Sequence, residues 1–182
     1  MPHTNATPVN ITPNGKVALI TGANSGIGAV TARNLALQGY HVFLACRGAA
    51  KTQTVLDVIA QRSNGTAKAE FLPLDLGDLS SVRACAAQFL ARGLPLHLLI
   101  NNAGLAGAKG MSASGFEQTF GVCHVGHFLL TQLLLDTLKA SAPARVVVVA
   151  SKIHYRAKGI NFDVLQQQTT SVGQLKEYCV AK

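Results

Sequence analysis

The chain has 182 residues, of which 48% are hydrophobic and 13% are charged. This composition excludes an intrinsically disordered protein, and this length allows one domain with a buried core. The formal charge is +8, but the basic residues are scattered and no nucleic-acid-reading motif is present, so we expect no nucleic-acid partner. A small ligand that carries phosphate accounts for part of the excess charge.

The beginning of the chain predicts a disordered lead over residues 1–15. It contains three prolines and no apolar stretch, unlike a signal peptide. No apolar run elsewhere approaches the roughly 18 residues of a membrane span. The spacing of the cysteines favours reduced thiols in the cytoplasm over a disulfide framework: Cys46, Cys85, Cys123 and Cys179. We therefore expect a cytoplasmic protein with one folded domain over residues 16–182.

Apolar runs of strand length alternate with segments of helical period. The predicted strands are largely apolar, as in strands buried on both faces of a sheet, and cover Val17–Ile20, His41–Cys46, Ala69–Leu74, Leu96–Ile100 and Arg145–Ala150. The predicted helices cover Gly26–Gln38, Ala49–Gln61, Ser80–Arg92 and Gly115–Lys139. This alternation predicts an α/β fold of Rossmann-like type, a doubly wound parallel sheet in three α/β/α layers.

A polar residue follows each predicted strand. These residues are Thr21, Arg47, Asp75, Asn101 and Ser151. Ligands of such sheets bind outside the carboxyl ends of the strands. The five positions therefore predict one functional site along that edge.

A glycine-rich loop joins the first predicted strand to the first predicted helix. Gly22, Gly26 and Gly28 have the spacing G-x-x-x-G-x-G. Glycines at such a turn let backbone N–H groups approach a phosphate at the amino end of a helix. A tight turn without a ligand is the alternative, but a strand before the loop and a helix after it favour a dinucleotide site.

The last five residues place a tyrosine, Tyr178, four positions before a lysine, Lys182. On a helix this spacing puts both side chains on one face. A tyrosine can protonate a carbonyl oxygen during hydride transfer, and a nearby ammonium stabilises the phenolate. Two ordinary exposed helix residues would show the same spacing, so the interpretation depends on the glycine loop.

Three motifs together resemble the short-chain dehydrogenase/reductase superfamily. They are VALITGANSGIG at 17–28, NNAG at 101–104 and YCVAK at 178–182, and they occur in the order typical of that family. The segments FLACR, LPLDL, GHFLLTQLLL and RVVVVASKIHYR resemble its retinol-dehydrogenase-like branch, which includes relatives of protochlorophyllide reductase. The resemblance implies an NADP-dependent oxidoreductase that acts on a carbonyl or alcohol of an apolar, retinoid-, steroid- or lipid-like substrate.

The resemblance also implies a set of coenzyme-binding residues. They are Gly22, Asn24, Ser25, Gly26, Ile27, Gly28, Arg47, Asp75, Leu76, Asn102, Ala103, Gly104, Tyr178 and Lys182. Arg47 follows the second strand, where a carboxylate would hold the ribose of NAD and a cation holds the 2′-phosphate of NADP. NADP (NADPH) is therefore expected in preference to NAD. The alternatives are a solvated loop arginine at Arg47 and a helix cap at Asp75.

The catalytic residues implied by the resemblance are Ser151, Tyr178 and Lys182. Ser151 would polarise the substrate carbonyl, Tyr178 would protonate it, and Lys182 would stabilise the tyrosinate and bind the nicotinamide ribose. Ser151 and Tyr178 are 27 residues apart, and residues 152–177 are interpreted as a substrate-side segment.

One residue departs from the family pattern. Cys123 occupies the position of an asparagine that helps to hold a proton-relay water, and a thiol is a weak donor and acceptor. Cys123, His124 and His127 could also be interpreted as metal ligands, but no fourth ligand accompanies them, so we expect no metal.

Relatives in the family continue beyond the tyrosine and lysine with further strands. We therefore expect a sheet that lacks the strands nearest the C-terminus of its relatives. The fifth strand would then be an exposed apolar edge, and Lys182 would be a frayed last residue. The alternative function is a truncated nucleotide-binding fragment with weak or no activity, and a third possibility is a gene fragment that does not fold stably. Family members also often pair through the helix predicted at 115–139, which implies a homodimer.

Overall fold

The computed structural model describes residues 7–168 and 175–182, and shows a parallel sheet of five strands in the order β3-β2-β1-β4-β5. The strands are β1 Val17–Thr21, β2 His41–Cys46, β3 Ala69–Pro73, β4 Leu98–Asn101 and β5 Arg145–Val148. The α-helices are α1 Gly26–Leu37, α2 Ala49–Arg62, α3 Leu79–Leu90, α4 Gln118–Phe120, α5 Gly126–Ala140 and α6 Lys176–Ala181. Short 3₁₀ turns cover Lys152–Arg156 and Phe162–Val164.

The predicted three-layer α/β/α fold is confirmed. Side chains of the central strands alternate between the two faces of the sheet. On one face Leu19 and Phe43 pack with helices α3 and α5, and on the other Ile20 and Leu44 pack with α1 and α2. Each fully buried leucine or phenylalanine contributes about 2 kcal/mol through burial. The two apolar cores hold the carboxyl ends of β1, β2 and β4 side by side.

The helix predicted at Gly115–Lys139 differs in the structure. It begins at Gln118, because Gly115 has a φ of +79° and Glu117 caps the following turn by accepting hydrogen bonds from Thr119 N and Phe120 N at 3.0 and 2.7 Å. A π-helical turn over Gly121–Val125 then separates α4 from α5. Helical period alone could not predict either feature.

The amino-terminal segment also differs from the prediction. Val9 N donates to Arg62 O at 3.1 Å and Ile11 N to Thr66 Oγ1 at 2.7 Å, so this part of the predicted disordered lead is tied to the domain. Residues 1–6 lie outside the described residues, and so do residues 169–174 of the predicted substrate-side segment.

Strand β5 lies at the edge of the sheet, as predicted. Val146, Val147 and Val148 are 41%, 42% and 67% exposed. These three valines form an exposed apolar surface on β5.

Candidate active site

A cleft with a volume of about 640 Å³ runs along the carboxyl ends of β1, β2, β3 and β4. It is lined by residues from several separate segments that the sequence predicted to bind coenzyme: Gly22, Asn24, Ser25, Ile27, Gly28, Arg47, Asp75, Leu76, Asn102, Ala103 and Gly104. Gly26 was predicted with them and does not line the cleft, but it is the first residue of α1 in the same turn. The fold therefore brings together positions that lie up to 82 residues apart in the chain.

The glycine loop and the Asn102–Gly104 turn are in direct contact. Asn102 Nδ2 donates to Thr21 O at 2.8 Å. A Cβ atom on Gly28 would collide with the carbonyl of Gly22 and would lie 2.5 Å from Asn102 Nδ2. Only glycine fits there, so the first turn of α1 presents backbone N–H groups without side-chain obstruction, as a diphosphate requires.

Thr21 is buried next to this cleft and ties three segments together. Its Oγ1 lies 2.9 Å from both Asn102 N and Ala103 N, and 2.8 Å from Nε2 of His127 on α5. Nδ1 of His127 is 3.0 Å from the carbonyl oxygen of Cys123. Burial lowers the pKa of His127 to about 4, so the imidazole is neutral at physiological pH.

The sequence does not indicate this role for His127. There, His127 is only a possible third member of a metal site with Cys123 and His124, which we do not expect. In the part of the chain that the structure describes, no group of histidine, cysteine and acidic side chains is arranged to hold a metal ion. The available signal was the position of a histidine on the buried face of an apolar helix, where a polar partner is required.

The charged residues that line the cleft are Arg47, Lys51 and Asp75. Arg47 and Lys51 are exposed at its rim, where β2 ends and α2 begins. Asp75 is half-buried, and its Oδ1 accepts a hydrogen bond from Gly77 N at 2.9 Å. The cap of α3 is a different residue, Asp78, which accepts from Ser80 N at 2.8 Å.

Tyr178 lies on α6, and Lys182 directly follows that helix. Tyr178 packs against an apolar cluster that includes Phe120 and Cys123. Lys182 Nζ lies 6.0 Å from the centroid of the Tyr178 ring, and it donates to Val149 O at 2.5 Å. Its side chain also approaches Gly104, which lines the cleft. The ammonium is thus held in place, whereas we had expected a frayed residue.

Ser151 lies three residues after β5, which ends at Val148. It caps the 3₁₀ turn over Lys152–Arg156, and its Oγ accepts a hydrogen bond from Ile153 N at 3.4 Å. Helix α6 packs against this turn. The fold therefore brings the segment that carries Ser151 next to the helix that carries Tyr178.

All four cysteines are buried and free, as predicted. Cys123 Sγ lies 3.5 Å from Leu105 N and 3.6 Å from Leu105 O, so its weak hydrogen-bonding capacity is directed to the backbone that follows Gly104. Burial raises the pKa of the Cys123 thiol. The neutral thiol therefore connects the π-helical turn before α5 with Leu105, which lines the cleft.

The sequence and the fold resemble those of known proteins. The sequence profile of the short chain dehydrogenase family matches residues 16–161. The chain belongs to this family. Retinol dehydrogenase 12 of Mus musculus is 46% identical over 173 residues, which is 94% of this chain and 52% of that protein. The chain therefore spans about half the length of this relative.

Solved structures show the same fold. A structure of an uncharacterized protein from Mycobacterium paratuberculosis aligns with a TM-score of 0.74 and 36% identity over 96% of this chain and 59% of that chain. A variant of actinorhodin polyketide ketoreductase, solved with NADPH, aligns with a TM-score of 0.66 and 27% identity over 80% of this chain and 56% of that chain. In residues 7–168 and 175–182, no helix has the length and apolar character to cross a membrane.

Proposed function

We propose that the protein is an NADP-dependent oxidoreductase that transfers hydride between the nicotinamide and a carbonyl or alcohol of an apolar substrate. The observation that carries the proposal is the continuous cleft from the glycine loop past Arg47 to the Asn102–Gly104 turn, with the Lys182 ammonium against Gly104. Membership of the short chain dehydrogenase family supports it.

The glycine turn fits a dinucleotide. Gly28 leaves the amino end of α1 open, and Asn24 and Ser25 line the approach to it. Two cations at the end of β2, Arg47 and Lys51, favour NADP, because a guanidinium binds phosphate through paired hydrogen bonds and no carboxylate lies between them to hold the diol of NAD. The related ketoreductase structure contains NADPH.

The coenzyme would supply or accept the hydride. Around it, Tyr178 would donate a proton to the substrate oxygen, and Lys182 would stabilise the tyrosinate by its charge. Ser151 would hold the same oxygen by a hydrogen bond and polarise the carbonyl. The contact between α6 and the turn after Ser151 supports this arrangement.

The substrate is proposed to be apolar. The segment after Ser151 exposes large hydrophobic side chains, with Tyr155 at 78%, Ile160 at 45% and Phe162 at 73%. These residues follow the proposed catalytic serine and would contact a hydrophobic body. The likeness to a retinol dehydrogenase supports a retinoid- or other lipid-like aldehyde or alcohol.

The proposal is tested by fluorescence titration of the 182-residue chain with NADPH and NADH, followed by oxidation of bound NADPH with all-trans-retinal and a steroid ketone. Tighter binding of NADPH than of NADH, with oxidation that depends on the carbonyl, is the expected result. Equal affinity for the two coenzymes would reject the NADP assignment.

A second candidate is a chain that binds the nucleotide without turnover. Two observations favour it. The valines of β5 are exposed, and the Cys123 thiol makes its hydrogen bonds to the backbone of Leu105, so both features leave the proposed substrate side with fewer internal contacts than the proposed coenzyme side. Saturable NADPH binding without oxidation would support this candidate. A chain without a cooperative melting transition would instead be an unstable fragment.

Two finer proposals concern assembly and location. Helix α5 exposes Phe128 at 60%, which supports a homodimer through the long helix. Four buried free thiols support a reducing, cytoplasmic location. Sedimentation equilibrium and cell fractionation of the full-length gene product test these two proposals.

A further inference from the structure

The hydroxyl of Thr21 has its hydrogen bonds fully assigned. A hydroxyl offers one proton and two lone pairs. Asn102 N and Ala103 N donate to its oxygen, each at 2.9 Å, and thereby take both lone pairs. The proton must then go to Nε2 of His127 at 2.8 Å, since the carbonyl of Ile100 is 3.5 Å away.

This assignment fixes the state of His127. Nε2 accepts from Thr21, so it carries no proton, and Nδ1 donates to Cys123 O at 3.0 Å. The imidazole is therefore the neutral Nδ1–H tautomer. It is only 5% exposed, and nothing in the proposed hydride transfer uses it.

We propose that His127 is a positioning residue that holds the Asn102–Ala103 turn in its coenzyme-binding place, acting through the hydroxyl of Thr21. The inference rests on the proposed function, because its consequence is coenzyme affinity. Because Nε2 of His127 accepts the hydroxyl proton of Thr21, that proton points away from the Asn102–Ala103 turn. Both lone pairs of Thr21 Oγ1 then remain available to the amides of Asn102 and Ala103. Without that acceptor the hydroxyl has only the distant Ile100 carbonyl, and its orientation toward the amides is no longer fixed.

Protonation would disrupt the same arrangement. An imidazolium donates from both nitrogens, so Thr21 Oγ1 would face three donors with two lone pairs, and one turn amide would lose its partner. The groups that face His127 oppose this state. Burial, Lys182 directly after α6 and His124 on the turn before α5 all lower the pKa of His127, while the hydrogen bond to the Cys123 carbonyl raises it.

A histidine that only fills space predicts a different outcome. An apolar side chain of similar size would then preserve coenzyme binding, even if stability changed. The comparison of His127→Leu with His127→Gln separates the two roles, because glutamine retains an acceptor for Thr21. His124→Leu is the matched control, since His124 is an exposed histidine of the same helical segment.

The experiment measures NADPH affinity and amide hydrogen exchange in wild type, these variants, Thr21→Val and the Thr21→Val/His127→Leu double variant. We expect His127→Leu to weaken NADPH binding about tenfold, as loss of one buried hydrogen bond does, and to speed exchange at Asn102 and Ala103 relative to β1 amides. Glutamine should restore both readouts to within about threefold of wild type. The double variant should bind no more weakly than Thr21→Val alone, because the two residues act as one unit.

A reduced melting temperature in His127→Leu with unchanged affinity and unchanged exchange at Asn102 and Ala103 would overturn the proposal. Additive losses in the double variant would also overturn it. Imidazole nitrogen shifts of the wild-type protein give a check that needs no variant: Nε2 should remain unprotonated at neutral pH, and a protonated Nε2 there contradicts the assignment. Failure of wild type to bind NADPH would count against the proposed function, and the exchange and imidazole measurements would still decide the role of His127.

Discussion

The two sides of the cleft differ in how firmly their residues are held. On the coenzyme side, Thr21 and Asn102 link β1, β4 and α5 through four hydrogen bonds of 2.8 to 2.9 Å. On the substrate side, Val148 and Tyr155 are 67% and 78% exposed. The difference indicates that the proposed coenzyme site is built from internal contacts, whereas the proposed substrate side is an open apolar surface. Changes on the two sides should therefore affect different measurements.

The largest effect is expected from Tyr178→Phe. This substitution removes the hydroxyl group, which is the proposed proton donor, and keeps the aromatic ring that packs on Phe120 and Cys123. Carbonyl-dependent oxidation of NADPH should fall by about 10² to 10⁴, as removal of a general acid does, while NADPH affinity stays within about twofold. Single-turnover kinetics measure both quantities.

Tyr40→Phe is the matched control, because Tyr40 directly precedes β2, at the end of that strand opposite the cleft. Unchanged turnover in Tyr178→Phe would remove Tyr178 from the mechanism. A large loss of NADPH affinity in that variant would instead show that the two sides of the cleft are not separable.

Gly28→Ala should damage the coenzyme side. The new methyl group would meet the Gly22 carbonyl and Asn102 Nδ2, and neither can move without breaking the contact between the loop and the turn. We expect a loss of about 1 to 3 kcal/mol in the free energy of unfolding, as for other overpacked sites, and NADPH binding that is no longer measurable. Urea denaturation and fluorescence titration test this.

Gly48→Ala is the control for stability. Gly48 has a φ of −103°, and a Cβ there meets no atom within 4 Å. Its free energy of unfolding should change by less than about 0.5 kcal/mol. An equally small loss in the free energy of unfolding of Gly28→Ala would show that the glycine loop can shift to accommodate the added methyl group.

Acid should destabilise the protein through His127. Burial lowers the pKa of His127 from 6.5 to about 4. Above pH 6.5 the imidazole is neutral in both folded and unfolded states, and its contribution is complete. As the pH falls from 6.5 toward 4, the unfolded chain gains a proton that the folded chain does not, and the free energy of unfolding should drop by about 3 kcal/mol.

Urea denaturation between pH 7.5 and 4 measures this contribution as the difference between wild type and His127→Leu. The leucine variant should show a shallower decline over that range, whereas His124→Leu should follow wild type. Parallel declines in wild type and His127→Leu would assign the acid sensitivity to other groups.

Sequence patterns predicted the sheet and the residues along its carboxyl edge, because buried parallel strands are continuously apolar and their polar successors meet at one edge. They did not predict that the long helix would begin at Gln118, since its cap is the buried carboxylate of Glu117. They also missed the contact between Thr21 and His127, which are 106 residues apart. This contact depends on how β1 and α5 pack against each other. The hydrophobic periodicity of each element carries no information about the distance between residues of two different elements.

The smallest effect is expected from Arg47→Ala. Arg47 is exposed at the rim of the cleft, so solvent and salt screen its interaction with a 2′-phosphate. NADPH affinity should fall about tenfold, while NADH affinity stays unchanged, because only NADPH carries the phosphate that a guanidinium binds. The loss should shrink as ionic strength rises.

Arg145→Ala removes the same charge at the end of the sheet opposite the cleft and is the matched control, since Arg145 is the exposed first residue of β5. It should leave both affinities unchanged. If Arg145→Ala and Arg47→Ala weakened NADPH binding equally, the preference would come from the net charge of +8 and not from the rim of the coenzyme cleft. If only Arg47→Ala weakened NADPH binding, the 2′-phosphate would be recognised at the end of β2. Arg47 would then be the residue that discriminates NADPH from NADH.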